Sequence, residues 1–405
     1  MHKSMTAFMA ITAMLTGCVS TPDKSGRSLP VKPRVELIEY DSVYLQNEFI
    51  KLEMIPDAMG RIGQITFLPN KRDMLIPFIG RETAYDPLFS RHESNGMGLR
   101  DLFWGVRGLT SSLNPMNIVE TNPDSITFYT DNYGFLNASM QRAVKLPENS
   151  TVLEICSTVI RRSSDTRHSS LQPWYNLVPA RSGTAELIIP ARGGVGRVGS
   201  RVFVHLEQDC LFGGEERQHY YVAPARNWLA TSFPDEKLVF AIYVPEELLQ
   251  PEGFFYFWNG RTGGNDVKTT EIILSGKETK PGEPYNYSCR LGIFPGLESI
   301  KEICGDTAID CRIKEKADGW IIELDLCPGR QLPAGSLTLE LRPVAGKGNI
   351  VKLGKIELES LPTAKVKTLS FTVPREKSLS GRYRICGTLP SGQKFELLEP
   401  LLENK

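Results

Sequence analysis

Short apolar alternations, rather than helical stripes, run through this chain. Ile50 to Ile55, Ile62 to Phe67, Ser125 to Thr130, Thr151 to Arg161, Leu238 to Val244, Phe254 to Trp258 and Thr270 to Leu274 are alternating or β-branched runs bounded by Pro, Gly, Asn and Asp. Period two belongs to strands that bury one face. Beyond the N-terminal region no segment keeps helical spacing for long. The 27 prolines and 35 glycines suit a turn-dense chain, because both residues end strands. The pattern predicts an all-β protein.

The texture changes near Pro295 to Ile303. Before it the chain is aromatic and rich in irregular loops; after it come shorter, cleaner alternations at Leu337 to Arg342, Ile356 to Leu358, Leu369 to Val373 and Tyr383 to Cys386. Roughly 100 residues carrying some seven short strands predict an immunoglobulin-like sandwich. The expected division is a larger domain over 35–299 and a smaller one over 300–405.

The first residues read differently. Met1 to Ser4 are polar with one firm positive charge, and Met5 to Leu15 are apolar, broken only by small or hydroxylated residues. That is a signal peptide in outline, too short for a bilayer span of about 20 apolar residues. Leu15-Thr16-Gly17-Cys18 resembles the bacterial lipobox, in which the cysteine is acylated and becomes the new N-terminus. The expectation is a signal peptide over 1–17, then lipidated Cys18 and a Ser-, Pro- and Gly-rich tether to residue 34. Val19 after the cysteine, rather than Asp, favours the outer membrane of a Gram-negative envelope. Lys plus Arg equals Asp plus Glu at 47 each, so nothing points to nucleic acid, and membrane attachment rests on the lipid alone.

Cysteine occurs 8 times. Besides Cys18 these are Cys156, Cys210, Cys289, Cys304, Cys311, Cys327 and Cys386, an odd set in which Cys304 and Cys311 are spaced to close a small loop. No Cys-x-x-Cys pair suggests a metal or redox role. Most are expected to be buried small hydrophobes.

Three segments carry a family resemblance. Leu45 to Ile62, with the strand Ile50 to Ile55, then Pro56 and Met59-Gly60-Arg61-Ile62, resembles the opening hairpin of the galactose-mutarotase-like superfamily, which usually has two glycines before the arginine. Gln172-Pro173-Trp174-Tyr175-Asn176-Leu177 resembles the segment of sugar epimerases that opens on histidine, and Thr270 to Ile273 with the strand to Leu297 resembles the closing strands. The resemblance implies a β-supersandwich with a carbohydrate cleft. In aldose 1-epimerases that histidine protonates the ring oxygen while a late glutamate takes the anomeric proton. Gln172 holds the histidine's place here, and an amide cannot donate and recover a proton near neutral pH. The expected role is therefore sugar or polysaccharide binding first, a carbohydrate epimerase or polysaccharide lyase second, and a structural envelope lipoprotein third.

Candidate site residues follow. Glu271 is the candidate base or hydroxyl acceptor, with His92 or His168 as candidate acid. Arg61, Trp104, Gln172, Trp174, Tyr175, Asn176 and His219 are candidate ligand contacts, because sugars stack on aromatic faces and take hydrogen bonds around the ring. Trp228 and Trp258 belong to the same aromatic set, most of which is expected to fill the core. No cofactor or metal is expected. Gly194 to Gly199 matches a GxGxxG string by letter, but a strand rather than a helix is expected after it, so no phosphate cradle forms. No Gly-x-Ser-x-Gly, His-Glu-x-x-His, P-loop or EF-hand pattern occurs.

Overall fold

The computed structural model describes residues 35–36, 41–76, 83–86, 91–94, 98–103, 115–133, 137–162, 170–180, 185–191, 194–198, 218–262, 265–344, 349–374, 381–398 and 402–404. Cys18, Trp104, His168 and Cys210 lie outside them. So do the side chains of His92, His219 and Trp258, whose backbones run in strands.

Alternation of apolar and polar positions produces two large antiparallel sheets. The ten-stranded sheet is ordered Gln218–Val222, Phe254–Thr262, Thr270–Ile273, Pro173–Leu177, Leu99–Phe103, Arg61–Phe67, Ile50–Ile55 and Val43–Gln46, with two short strands added at its sides. The nine-stranded sheet is ordered Gly194–Val198, Glu186–Ala191, Trp228–Phe233, Leu238–Tyr243, Pro284–Pro295, Val152–Arg161, Ala138–Lys145, Ser125–Thr130 and Asn117–Asn122. Ile50, Leu52, Met54, Ile62, Phe255 and Ile272 of the first sheet meet Phe128, Met140, Ile155, Phe240 and Leu291 of the second in one core. Each fully buried side chain of this kind contributes roughly 1.5–3 kcal/mol of hydrophobic stabilisation. The all-β sandwich expected from the alternation is the architecture observed. The Gly194–Val198 stretch of the GxGxxG string is itself a strand.

Residues 302–404 form two further sheets around their own core, which includes Ile322, Leu324, Leu339 and Ile385. One is ordered Glu302–Cys304, Thr307–Lys316, Gly319–Pro328 and Lys367–Pro374. The other is ordered Val351–Leu358, Gly335–Pro343, Gly381–Thr388 and Lys394–Glu396, with Leu402–Asn404 on Gly381–Thr388.

A third apolar cluster joins the two parts. Val152, Ile188, Trp228, Val239 and Phe294, on the outer face of the nine-stranded sheet, pack with Ile303, Ala308 and Cys327. Trp228–Phe233 and Leu238–Tyr243 are consequently buried at every position, because both of their faces are covered. At the edge of this seam Arg290 and Arg330 each pair with Glu154 and Asp306, closing a ring of charges that the Tyr243 hydroxyl also enters.

Cys156, Cys289, Cys304, Cys311, Cys327 and Cys386 are all free thiols. The loop closure that the spacing of Cys304 and Cys311 suggested is not made. Burial pushes both thiols up to about 12, and each packs as a small hydrophobe, as do all the described cysteines except the exposed Cys156.

Candidate functional site

Strand alternation decides which candidates share a face. Ile272, Leu177, Leu99 and Ile62 point into the inter-sheet core, so their chain neighbours Glu271, Asn176 and Arg61 lie on the outer face of the ten-stranded sheet. Register then lines these neighbours up. Tyr221 pairs with Tyr256, Tyr256 with Glu271, Glu271 with Asn176, and Asn176 with Arg100. The Ile62–Leu99 pair on the next strand sets Arg100 beside Arg61, which pairs with Ile55. One straight row therefore crosses seven strands and carries Arg61, Asn176 and Glu271, three residues read from separate segments of the sequence.

The row is buried although it is polar. Arg61 and Glu271 are 1% exposed and Asn176 is 2% exposed. Charged groups are rarely buried so completely unless they are bonded. Glu271 is held at both oxygens: the Trp174 indole N–H donates to Oε2 and the Thr269 hydroxyl donates to Oε1. Two donors on one side chain fix its rotamer. The Asn176 side-chain oxygen is buried and has no hydrogen-bond partner among the described residues. A buried acceptor left open costs about 1–3 kcal/mol until a donor reaches it.

Trp174 lies one step along the strand from this row, between Ile273 and Leu102 in register, and Gln172 follows it at the same parity. Both are half-buried. The face thus offers an indole, a tyrosine, an oriented carboxylate and an open amide oxygen within neighbouring strands about 4.8 Å apart. Such a set can accept and donate to hydroxyls and press an aromatic face on an apolar one.

Tyr175 needs correcting. It stands between Trp174 and Asn176 and so points the other way, fully buried in the inter-sheet core beside Tyr287, its ring centroid 6.0 Å away. Burial pushes its hydroxyl well above the ordinary tyrosine value. It is a core residue and not a contact on this face. Trp228 is likewise placed elsewhere, in the apolar seam, donating to Glu302 at 2.8 Å.

His219 pairs in register with Trp258, two residues along from the Tyr221–Tyr256 pair. His92 lies in Arg91–Ser94, a strand of a separate three-stranded sheet with Thr83–Asp86 and Val35–Glu36. Tyr256 and Thr269 went unread in the sequence. Their signals were weak: Tyr256 sits in an all-aromatic run, and Thr269 shares a face with Glu271 only through a spacing of two. Among the described residues no cluster of three or more His, Cys, Asp or Glu stands ready for a metal.

A second buried polar group lies on the core side. Asp101 accepts from Ser157 at 2.9 Å and Tyr287 at 3.0 Å through Oδ2, and pairs with Arg142 through Oδ1. Arg142 reaches across from the nine-stranded sheet and also donates to the carbonyls of Met59 at 2.6 Å and Gly60 at 2.9 Å.

No protein-family model matches the sequence, and no curated protein matches it. Solved structures similar to the chain include galactose-mutarotase-like proteins. A galactose mutarotase related enzyme from Lactobacillus acidophilus aligns at TM-score 0.42 and 11% identity, over 65% of this chain and 100% of its own. A putative aldose 1-epimerase from Escherichia coli K12 aligns at TM-score 0.44 and 10% identity, over 63% and 99%. A galactose mutarotase-like protein from Clostridium acetobutylicum aligns at TM-score 0.44 and 11% identity, over 65% and 98%. At that level of likeness nothing about activity transfers.

Proposed function

We propose that this protein is a carbohydrate-binding lipoprotein of the bacterial cell envelope, anchored through lipidated Cys18, in which the outer face of the ten-stranded sheet holds a sugar or polysaccharide. The observation that carries the reading is the buried cross-strand row of Arg61, Asn176 and Glu271, with the open Asn176 oxygen beside the oriented Glu271 carboxylate. A sugar presents adjacent hydroxyls that donate and accept, which is the complement of that pair. Signal peptide 1–17, a tether to residue 34, a mutarotase-like domain over 35–299 and an immunoglobulin-like domain over 300–405 complete the proposed organisation. The last part supports its share, since sheets of four and five antiparallel strands close on one apolar core as in a β-sandwich. Outer-membrane sorting rests on Val19.

Register favours one second reading, a carbohydrate epimerase or lyase. His219 shares the parity of Tyr221 and lies two strands across and two residues along from Glu271, a backbone separation of about 12 Å. An acid and a base on either side of a sugar ring need a separation of that order. Gln172 at the epimerase histidine's place weighs against it.

A glycan array and a mutarotation assay on the full-length protein in detergent micelles separate the readings. Glycan binding that Glu271→Gln weakens, without sugar interconversion, is the expected result. Turnover lost in both Glu271→Gln and His219→Gln would move the assignment to the enzyme, and neither binding nor turnover would remove both.

A further inference from the structure

Arg142 lies buried between the two sheets, and its contacts are directional. It pairs with Asp101 and donates to the consecutive carbonyls of Met59 and Gly60, so a single guanidinium ties the Leu99–Phe103 strand to the turn before Arg61–Phe67. Asp101 is the chain neighbour of Arg100, and Gly60 is the chain neighbour of Arg61. These are the two backbones that form the arginine end of the row. The turn itself needs holding, because Met59 adopts φ 67, a left-handed conformation that side chains with a Cβ rarely take. The Ile62–Leu99 contact is the sole register pair described between these two strands, so ladder hydrogen bonds alone do little to fix them to each other. Asp101 is itself braced by Ser157, Tyr287 and, at its backbone carbonyl, Tyr133.

We propose that Arg142 is a positioning residue for the ligand face: from the core side it sets the Met59–Gly60 turn and the Asp101 strand in place, and so aligns Arg61 and Arg100 with Asn176 and Glu271. A planar fork fixes the directions of its donors to a carboxylate and two carbonyls, whereas the donors of an ammonium rotate freely on a flexible stem. The role rests on the carbohydrate reading only for what the face binds; the alignment itself is a property of the unliganded chain.

Backbone amide hydrogen exchange in the unliganded full-length protein tests it without any ligand. Arg142→Met should speed exchange in 58–62 and 99–102 at least tenfold more than in 254–257 and 270–273, and Arg142→Lys should give an intermediate effect. Phe240→Leu, a core substitution elsewhere in the same cluster, should raise exchange without that localisation. If Arg142→Met does not fold, Tyr287→Phe, which loosens Asp101 more gently, should show the same pattern at smaller size. Uniform acceleration, or none in the two named segments, would overturn the proposal. A parallel titration with D-galactose and D-glucose should show Arg142→Lys binding at least tenfold more weakly than wild type, with Phe240→Leu unchanged. Wild type that binds neither sugar counts against the carbohydrate reading alone, and the exchange pattern still decides the role of Arg142.

Discussion

The two large sheets each bury part of their outer face, and they bury opposite chemistry. On the nine-stranded sheet the covered face is Val152, Ile188, Trp228, Val239 and Phe294, closed by residues of the C-terminal sandwich. On the ten-stranded sheet the covered face is Arg61, Asn176 and Glu271. Burial is nearly the same; Trp228 is 0% exposed and Glu271 is 1%. The first face gains stability from every apolar contact. The second holds polar groups whose burial costs free energy unless each is bonded. An apolar seam covers the first face; the second keeps a bonded carboxylate and an amide oxygen with no partner among the described residues, and it is there that the proposed ligand would bind.

The largest effect is expected on the apolar face. Trp228→Ala empties the seam of its biggest side chain and removes a donor from Glu302, so urea unfolding should lose about 3–5 kcal/mol. Sugar binding, read at a temperature where the variant is folded, should stay within about twofold of wild type. A large loss of binding with little loss of stability would reverse the roles given to the two faces.

The polar face should behave the other way. Glu271→Gln keeps the shape of the side chain but leaves one oxygen for two donors, at a cost of about 1–2 kcal/mol in urea unfolding. Its effect on glycan affinity should exceed tenfold. Equal affinity in the variant would make Glu271 a structural brace of Trp174 and Thr269.

Smaller again is the charge ring at the edge of the seam. Arg330→Ala opens two of its pairs, both partly exposed, and should cost about 1 kcal/mol, less in high salt. A cost that salt leaves untouched would place the contribution in packing rather than charge.

The smallest expected effect is a pH trend from Glu302. Burial raises its carboxyl above the ordinary 4.5, against the pull of Arg226 and Trp228. The folded state therefore binds this proton more readily than the unfolded state, so the contribution of Glu302 is fully present below the ordinary value and is lost as pH rises through the raised one. Wild type should gain on Glu302→Gln as pH falls from 7 toward 5, measured as the difference between their urea midpoints. A difference that shrinks over that interval would mean Glu302 is held ionised by Arg226.

Much of the fold was legible because strand alternation is local: Ile50 to Ile55, Ser125 to Thr130 and Phe254 to Trp258 appear as strands where the pattern put them. The site was legible only in pieces. Arg61, Asn176 and Glu271 came from three separate segments, and nothing within any one of them shows that they form a row, since that depends on pairing between strands far apart in the chain. Tyr175 could have been set aside from alternation alone, as a neighbour of two residues on the opposite face. The seam was hidden for another reason: Trp228 finds its acceptor in Glu302, 74 positions away.

Neighbouring residues on opposite faces give the most direct measurement. Tyr175→Phe and Asn176→Ala change adjacent side chains, one in the core and one in the row, and each can be titrated with the best ligand from a glycan array. Asn176→Ala should weaken binding at least tenfold while Tyr175→Phe leaves it within about twofold, in keeping with a lost buried hydrogen bond on one face only. Equal effects of the two, or a loss confined to Tyr175→Phe, would contradict a carbohydrate site on the outer face of the ten-stranded sheet.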